Sequence, residues 1–297
     1  MSIGLISVDR KEFLAMSVSA FRKWRAQNAT LRAAALAFFT IFPLPSLLLI
    51  TTALCAQIFG QTETFQHFIE QITTLAGPAV AELLRQFLES TRDPFTSIFA
   101  SIASIVFTIA GAIGAFLVLQ DTLNVIWEVP TSKQQSLKTR VNKRTPPFLV
   151  VSFTGLAVIV WTGIITILFG YISFALEPLI GNSASVVLSI IHIVVSFTIA
   201  TLLFAIMYKQ IPDTVVKWGD VRLAAIITSV VFTAFNYFFG IYVQLFPATS
   251  MVGIAGSMMV LLTWIFIAGQ FIFFGAQFSK IYAETKGSRS KDKVIAN

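Results

Sequence analysis

From Leu223 to Ser279 the chain reads LAAIITSVVFTAFNYFFGIYVQLFPATSMVGIAGSMMVLLTWIFIAGQFIFFGAQFS, without one Asp, Glu, Lys or Arg. A helix crosses a bilayer with about 20 apolar residues, so this run is too long for a single crossing. Pro247, with Thr249, Ser250 and Gly253 close behind, marks a tight turn near its middle. Two crossing helices are therefore predicted, at 222–246 and 251–282. Working outward, Ala33–Thr62, Pro94–Gln120, Thr145–Leu176 and Pro178–Tyr208 also lack charged residues. They supply helices at 33–60, 94–127, 145–176 and 178–208. The expected fold is all-α: a polytopic membrane protein with six transmembrane helices and amphipathic interfacial helices.

Composition points the same way. Hydrophobic residues make up 56% of the 297-residue chain and charged residues 12%, against about 25% charged in soluble domains. Mean hydropathy is +0.81. A chain this poor in polar surface needs lipid as its solvent. Cys55 stands alone, which excludes an internal disulfide, and with His67 and His192 it makes too small a set for a Cys/His zinc site. No metal or cofactor is implied.

Orientation follows from the cations, which cytoplasmic loops retain. Of the 21 Lys and Arg, Arg85 and Arg92 fall on one side of the six-crossing arrangement and all others on the opposite side. The second group comprises the N-terminal segment through Arg32, the Lys133–Arg144 loop, Lys209, Lys217, Arg222 and the tail from Lys280. Both termini are expected in the cytoplasm. The same placement accounts for the net charge of +7 without a nucleic-acid partner. Three regions result: a cytoplasmic amphipathic segment at 1–31, a membrane domain at 32–282 and a basic tail at 283–297. Leu14, Val18, Phe21 and Trp24 recur at helical spacing in the first, as in a helix lying on the membrane surface. The external segment 63–93 is amphipathic and acidic, carrying Glu63, Glu70, Glu82, Glu89 and Asp93. It is either an interfacial helical pair or a lid.

Polar residues inside such helices are the candidates for function. Gln120, Asn124 and Trp127 share a face at the end of the second helix, with Asp121 beside them. Either Trp127 anchors the helix in the interfacial belt, or the group is a cytoplasmic gate with Arg140 or Lys143 pairing Asp121. The fifth helix carries Asn236 and Gln244; the sixth carries Thr263, Gln270 and Gln277 at heptad spacing. These are interhelical hydrogen-bond glue or the lining of a polar path. Pro43 and Pro45 kink the first helix, and Pro45 is a path candidate. His192 lies between Ser189 and Ser196 with no acid in its span, so it reads as a structural histidine. No nucleotide fingerprint or metalloprotease motif is present. No catalytic residue is assigned, and the chain is not expected to be an enzyme.

Four motifs resemble the YihY/BrkB family of bacterial inner-membrane proteins: Ala33–Pro45, Leu119–Trp127, Tyr208–Val221 and Gly253–Phe278. The sequence departs from the family pattern at Gln277, where a Glu is common, and at Ser46, where a second Pro follows Pro45. The resemblance implies six helices and an inner-membrane location. The ribonuclease label once attached to the family has no support in these residues. Links between some members and envelope-lipid transport imply translocation of a lipid or amphipathic envelope molecule, with membrane lipids as partners. The alternative is a non-transporting scaffold that docks an envelope-assembly protein on segment 63–93.

Overall fold

The computed structural model of the chain describes residues 9–42, 94–130, 182–245 and 253–290. The described residues contain helices and no strands: α1 (Arg10–Ala26), α2 (Ala29–Ile41), α3 (Pro94–Ile126), α4 (Asn182–Gln210), α5 (Trp218–Leu245) and α6 (Gly253–Thr285). The expected helix at 145–176, segment 63–93, Pro45, Arg140 and Lys143 lie outside them. Among the described residues, three stretches are long and apolar enough to cross a membrane: Thr108–Ile126, Trp218–Tyr242 and Met259–Thr285, with mean hydropathies of 1.6, 1.7 and 2.0. Ala29–Ile41 and Val194–Gln210 are shorter apolar helices. In hydrocarbon a helix satisfies its own backbone groups, which is why uncharged runs take this form. The protein is an all-helical membrane protein.

Two compact units divide the chain. The first takes in Met1–Asn28, Gln120–Thr233 and Phe271–Asn297. Its core holds the buried side chains of Leu123, Tyr208, Ile211, Val221, Phe273 and Phe278. Phe13 of α1 meets the Phe278 ring at 5.6 Å, and Met16 and Ala20 are buried as well. Leu14, Val18 and Phe21 form the other, exposed stripe of α1. α1 ends at Ala26, and the turn beyond it contains Asn28, whose positive φ of 52° suits asparagine better than most residues.

The second unit takes in Ala29–Leu119 and Ala234–Gln270. Small residues let helix backbones approach closely where lipid supplies no hydrophobic drive between helices. Here Gly114 of α3 receives the Phe39 ring of α2, and Gly269 of α6 faces Ala33 and Leu36. The Trp264 indole N–H donates to the Asn236 side-chain oxygen at 2.9 Å, tying α6 to α5.

The first unit has a tighter contact of the same kind. At Gly275 of α6, a Cβ would run into the Tyr208 hydroxyl and the Thr228 hydroxyl. Those two hydroxyls bond each other at 3.0 Å, and Tyr208 donates to the Ile272 carbonyl at 3.1 Å. We expect Gly275→Ala to destabilise the purified protein by about 1–3 kcal/mol, the usual cost of overpacking. Gly219→Ala, with nothing within 4 Å of the added methyl, should leave thermal unfolding in detergent unchanged. Equal melting temperatures for the two variants would contradict this packing.

Candidate functional site

Polar side chains of the first unit gather where α3 ends, α4 turns into α5, and α6 runs into the tail. Gln120 and Asn124 are one turn apart on α3, which puts them on one face. Both reach Asp213 in the α4–α5 turn. The Asn124 amide donates to Asp213 Oδ2 at 2.8 Å, and the Asp213 backbone N–H donates to Asn124 Oδ1 at 2.7 Å. Gln120 Nε2 donates to Asp213 Oδ1 at 3.3 Å and to the Ile211 carbonyl at 3.4 Å. Pro212 has no N–H to compete for these acceptors.

A second carboxylate is held seven positions on. Asp220, 2% exposed, accepts from the Ser288 backbone N–H at 2.8 Å and from the Ser288 hydroxyl at 2.5 Å. Its backbone carbonyl accepts from the Ser279 hydroxyl at 3.0 Å. The next residue of the tail, Arg289, donates to Thr214 Oγ1 at 2.8 Å and lies 4.9 Å over the Trp127 ring. The tail is thereby fastened to the α4–α5 turn and to the end of α3.

Ion pairs complete the cluster. Lys280 is 1% exposed and meets Glu128 at 2.5 Å and Glu284 at 3.5 Å. Glu128 ends α3 with φ at 53°. Its backbone N–H bonds the Val125 carbonyl, and the Val129 N–H bonds that of Asn124. That is a Schellman stop with glutamate where glycine usually sits. The Lys280 hydrogen bond and charge hold the Glu128 carboxyl below its ordinary value. Lys23 pairs with Glu284 at 3.5 Å, and Lys286 pairs with Glu12. α1 is thus joined to the end of α6.

The sequence-predicted residues fall in different places. Gln120 and Asn124 meet as a pair, but around Asp213 and not around Asp121. Asp121 is exposed on α3. Trp127 is 2% exposed beneath Arg289, so the interfacial-belt reading is corrected: the tail covers it. Asn236 takes part in the Trp264 hydrogen bond, and Gln244 belongs to α5. Thr263 is exposed and bonds the Met259 carbonyl of its own helix at 2.8 Å. Gln270 is half-buried, with its amide oxygen lacking a hydrogen-bond partner among the described residues. Gln277 is fully buried, and neither atom of its amide has such a partner there. Sequence reasoning missed Asp213, Asp220, Glu128, Lys280, Ser288 and Arg289. Asp213, directly after Ile211-Pro212 at the end of an apolar run, was the one with a local signal.

Among the described residues no group of three His, Cys, Asp or Glu could hold a metal ion. The arrangement fastens segments together. Replacing Asn124 by Asp tests its central contact. Two carboxylates would then face each other without the amide donor, a loss of about 3 kcal/mol at neutral pH. Thermal unfolding of Asn124→Asp in detergent at neutral pH should begin well below that of wild type; equal melting temperatures would refute the contact.

Comparison with known proteins bears on the whole chain. The family model described as Virulence factor BrkB matches residues 20–295. A UPF0761 membrane protein of Pseudomonas aeruginosa is 25% identical over 276 residues, covering 90% of this chain and 62% of its own. One from Azotobacter vinelandii is 22% identical over 266 residues, 86% of this chain and 60% of its own. The chain therefore spans about three-fifths of the length of these two relatives. A third, from Glaesserella parasuis, is 24% identical over 205 residues, 69% of this chain and 68% of its own. No solved structure matches. A match across residues 20–295, on a helical membrane protein with the motifs described, places this chain in the BrkB family.

Proposed function

We propose that this protein translocates a lipid or another amphipathic envelope molecule in the bacterial inner membrane, with both termini in the cytosol. The carrying observation is Gln277: a primary amide at 0% exposure in an apolar helix, with both its oxygen and its nitrogen unpartnered among the described residues. Leaving a buried polar group unsatisfied costs about 1–3 kcal/mol. A native structure tolerates that where water or a ligand supplies the missing bonds. Ser229 on α5 is also fully buried with an unpartnered hydroxyl. Gln270, one heptad before Gln277 on α6, extends the polar line. A polar headgroup passing along α6 would find hydrogen-bonding groups that the protein does not use itself.

In this reading the Gln120–Asn124–Asp213 knot is the cytosolic closure. Asp213 takes the part that the sequence offered to Asp121. The nineteen cations that the sequence places on one side set the orientation by the positive-inside rule. The protein is a carrier of molecules and not an enzyme.

The test uses purified protein in liposomes with a fluorescent phospholipid in the outer leaflet. Wild type should speed its movement to the inner leaflet at least about tenfold over empty vesicles, about 1.4 kcal/mol of barrier. Gln277→Leu should remove most of that gain. It should melt no lower than wild type, because an apolar group of like size leaves nothing unsatisfied. Movement no faster than in empty vesicles, with and without an ion gradient, would refute the proposal.

A further inference from the structure

The turn between α4 and α5 leaves its positive charges unanswered. Asp213 is occupied by Asn124 and Gln120, and Asp220 by Ser288. Lys209, Lys217 and Arg222 surround the same turn. Lys209 lies 4.3 Å over the Trp218 ring. Lys217 and Arg222 are exposed. Both acids near the turn point into the protein, and its three cations remain outside.

Beside Arg222 a groove of about 410 Å³ opens between the two helices, lined by Phe197, Leu202 and Ala205 of α4 and by Trp218, Ala225 and Ile226 of α5. Thr198 and Thr201 also line it, but their hydroxyls bond the Val194 and Phe197 carbonyls of their own helix at 2.8 Å each. Those hydroxyls are engaged within α4. The groove's wall is apolar, and the polar groups are at the mouth: the Arg222 guanidinium and the Trp218 indole. Along α4, Phe197 is about 18 Å from Lys209 at 1.5 Å per residue. The hydrocarbon of one leaflet is about 15 Å thick. Tryptophan and basic residues at the end of a spanning helix mark headgroup depth.

We propose that this groove holds one anionic glycerophospholipid of the adjacent leaflet, its acyl chain along Phe197, Leu202 and Ile226 and its phosphate on Arg222. The occupant is a lipid and not a free phosphate because most of the groove is apolar, and its lining from Phe197 to Ala205 runs about 12 Å along α4, most of the depth of one leaflet. It is anionic because Arg222 stands at the mouth, with Lys209 and Lys217 on the adjoining turn, and the carboxylates of that turn are already engaged. Basic pockets between membrane helices recognise lipid headgroups by this combination. The site is separate from the line of polar groups on α6 and does not depend on translocation.

Purified full-length protein, stripped of lipid in detergent, is titrated with dioleoylphosphatidylglycerol or dioleoylphosphatidylcholine and read by native mass spectrometry. Phosphatidylglycerol should be retained at least about fivefold better, a ratio that one cation at the headgroup supplies. Arg222→Gln should erase that preference and Arg222→Lys keep most of it. Ala205→Trp, which fills the groove, should reduce retention of both lipids. Free glycerol phosphate should not compete. A bromine-labelled phosphatidylglycerol should quench tryptophan emission less in Trp218→Phe than in wild type. Equal retention of the two lipids, competition by free glycerol phosphate, or unchanged binding by Arg222→Gln would overturn the proposal. So would a dimer that binds neither lipid, because protein would then fill the groove.

Discussion

A carboxylate taken out of water costs several kcal/mol unless hydrogen bonds and charges around it replace the solvent. The turn between α4 and α5 carries two, Asp213 and Asp220, and the first unit is arranged to supply what both need. Two amides from α3 serve Asp213. One tail residue, Ser288, serves Asp220 twice. Each contact does structural work beyond neutralising a charge. The first fixes the end of α3 against the turn; the second brings Arg289 to Trp127 and Thr214. Removing either carboxylate would release a chain segment as well as a hydrogen bond.

The buried lysine follows the same rule with the opposite sign. Lys280 is enclosed on α6, and Glu128 meets it from the end of α3 in a backbone conformation glutamate does not favour. A left-handed residue of this kind is held by its surroundings, and here the surroundings are the ion pair. Gln277, one turn before Lys280 on the same face of α6, is treated differently. Two carboxylates, Glu128 and Glu284, answer the charge of Lys280, while the amide just beyond it is left without a described partner. Because the described chain satisfies far costlier groups a few ångströms along the same helix, the unsatisfied amide reads as reserved for something outside it.

Much of this architecture was legible from residue order alone. Uncharged runs marked α3 through α6 because hydrocarbon admits few other backbone solutions. The face shared by Gln120 and Asn124 followed from helical spacing, as did the heptad line of Gln270 and Gln277. Their partner did not. Asp213 lies 89 residues from Asn124, and no periodicity links positions so far apart. Asp121, the adjacent carboxylate, was read as pairing with Arg140 or Lys143, which lie outside the described residues. Trp127 misled for a related reason. An aromatic residue at a helix end does sit in the lipid interface by default, but a tail returning from beyond α6 covers this one. α5 also begins at Trp218, ahead of the uncharged run. Asp220 in its first turn favours the positive end of the helix dipole, so charge there starts the helix and does not interrupt it.

The groove and the knot of carboxylates are two consequences of one segregation of charge. The cations near the turn outnumber its acids, and the acids are the shorter side chains. Short carboxylates are readily reached by backbone N–H groups and amides inside the protein; long Lys and Arg side chains extend toward headgroups while their stems lie on apolar surface. Interior hydrogen bonding therefore removes negative charge from the membrane-facing side and leaves positive charge behind. The excess of cations at this end is what insertion requires, and the internal pairing of the acids is what makes that excess available to a lipid. Had Asp213 and Asp220 faced outward to Lys217 and Arg222, the topology signal in the sequence would have been identical. The recognition surface would have kept a net charge of one cation instead of three.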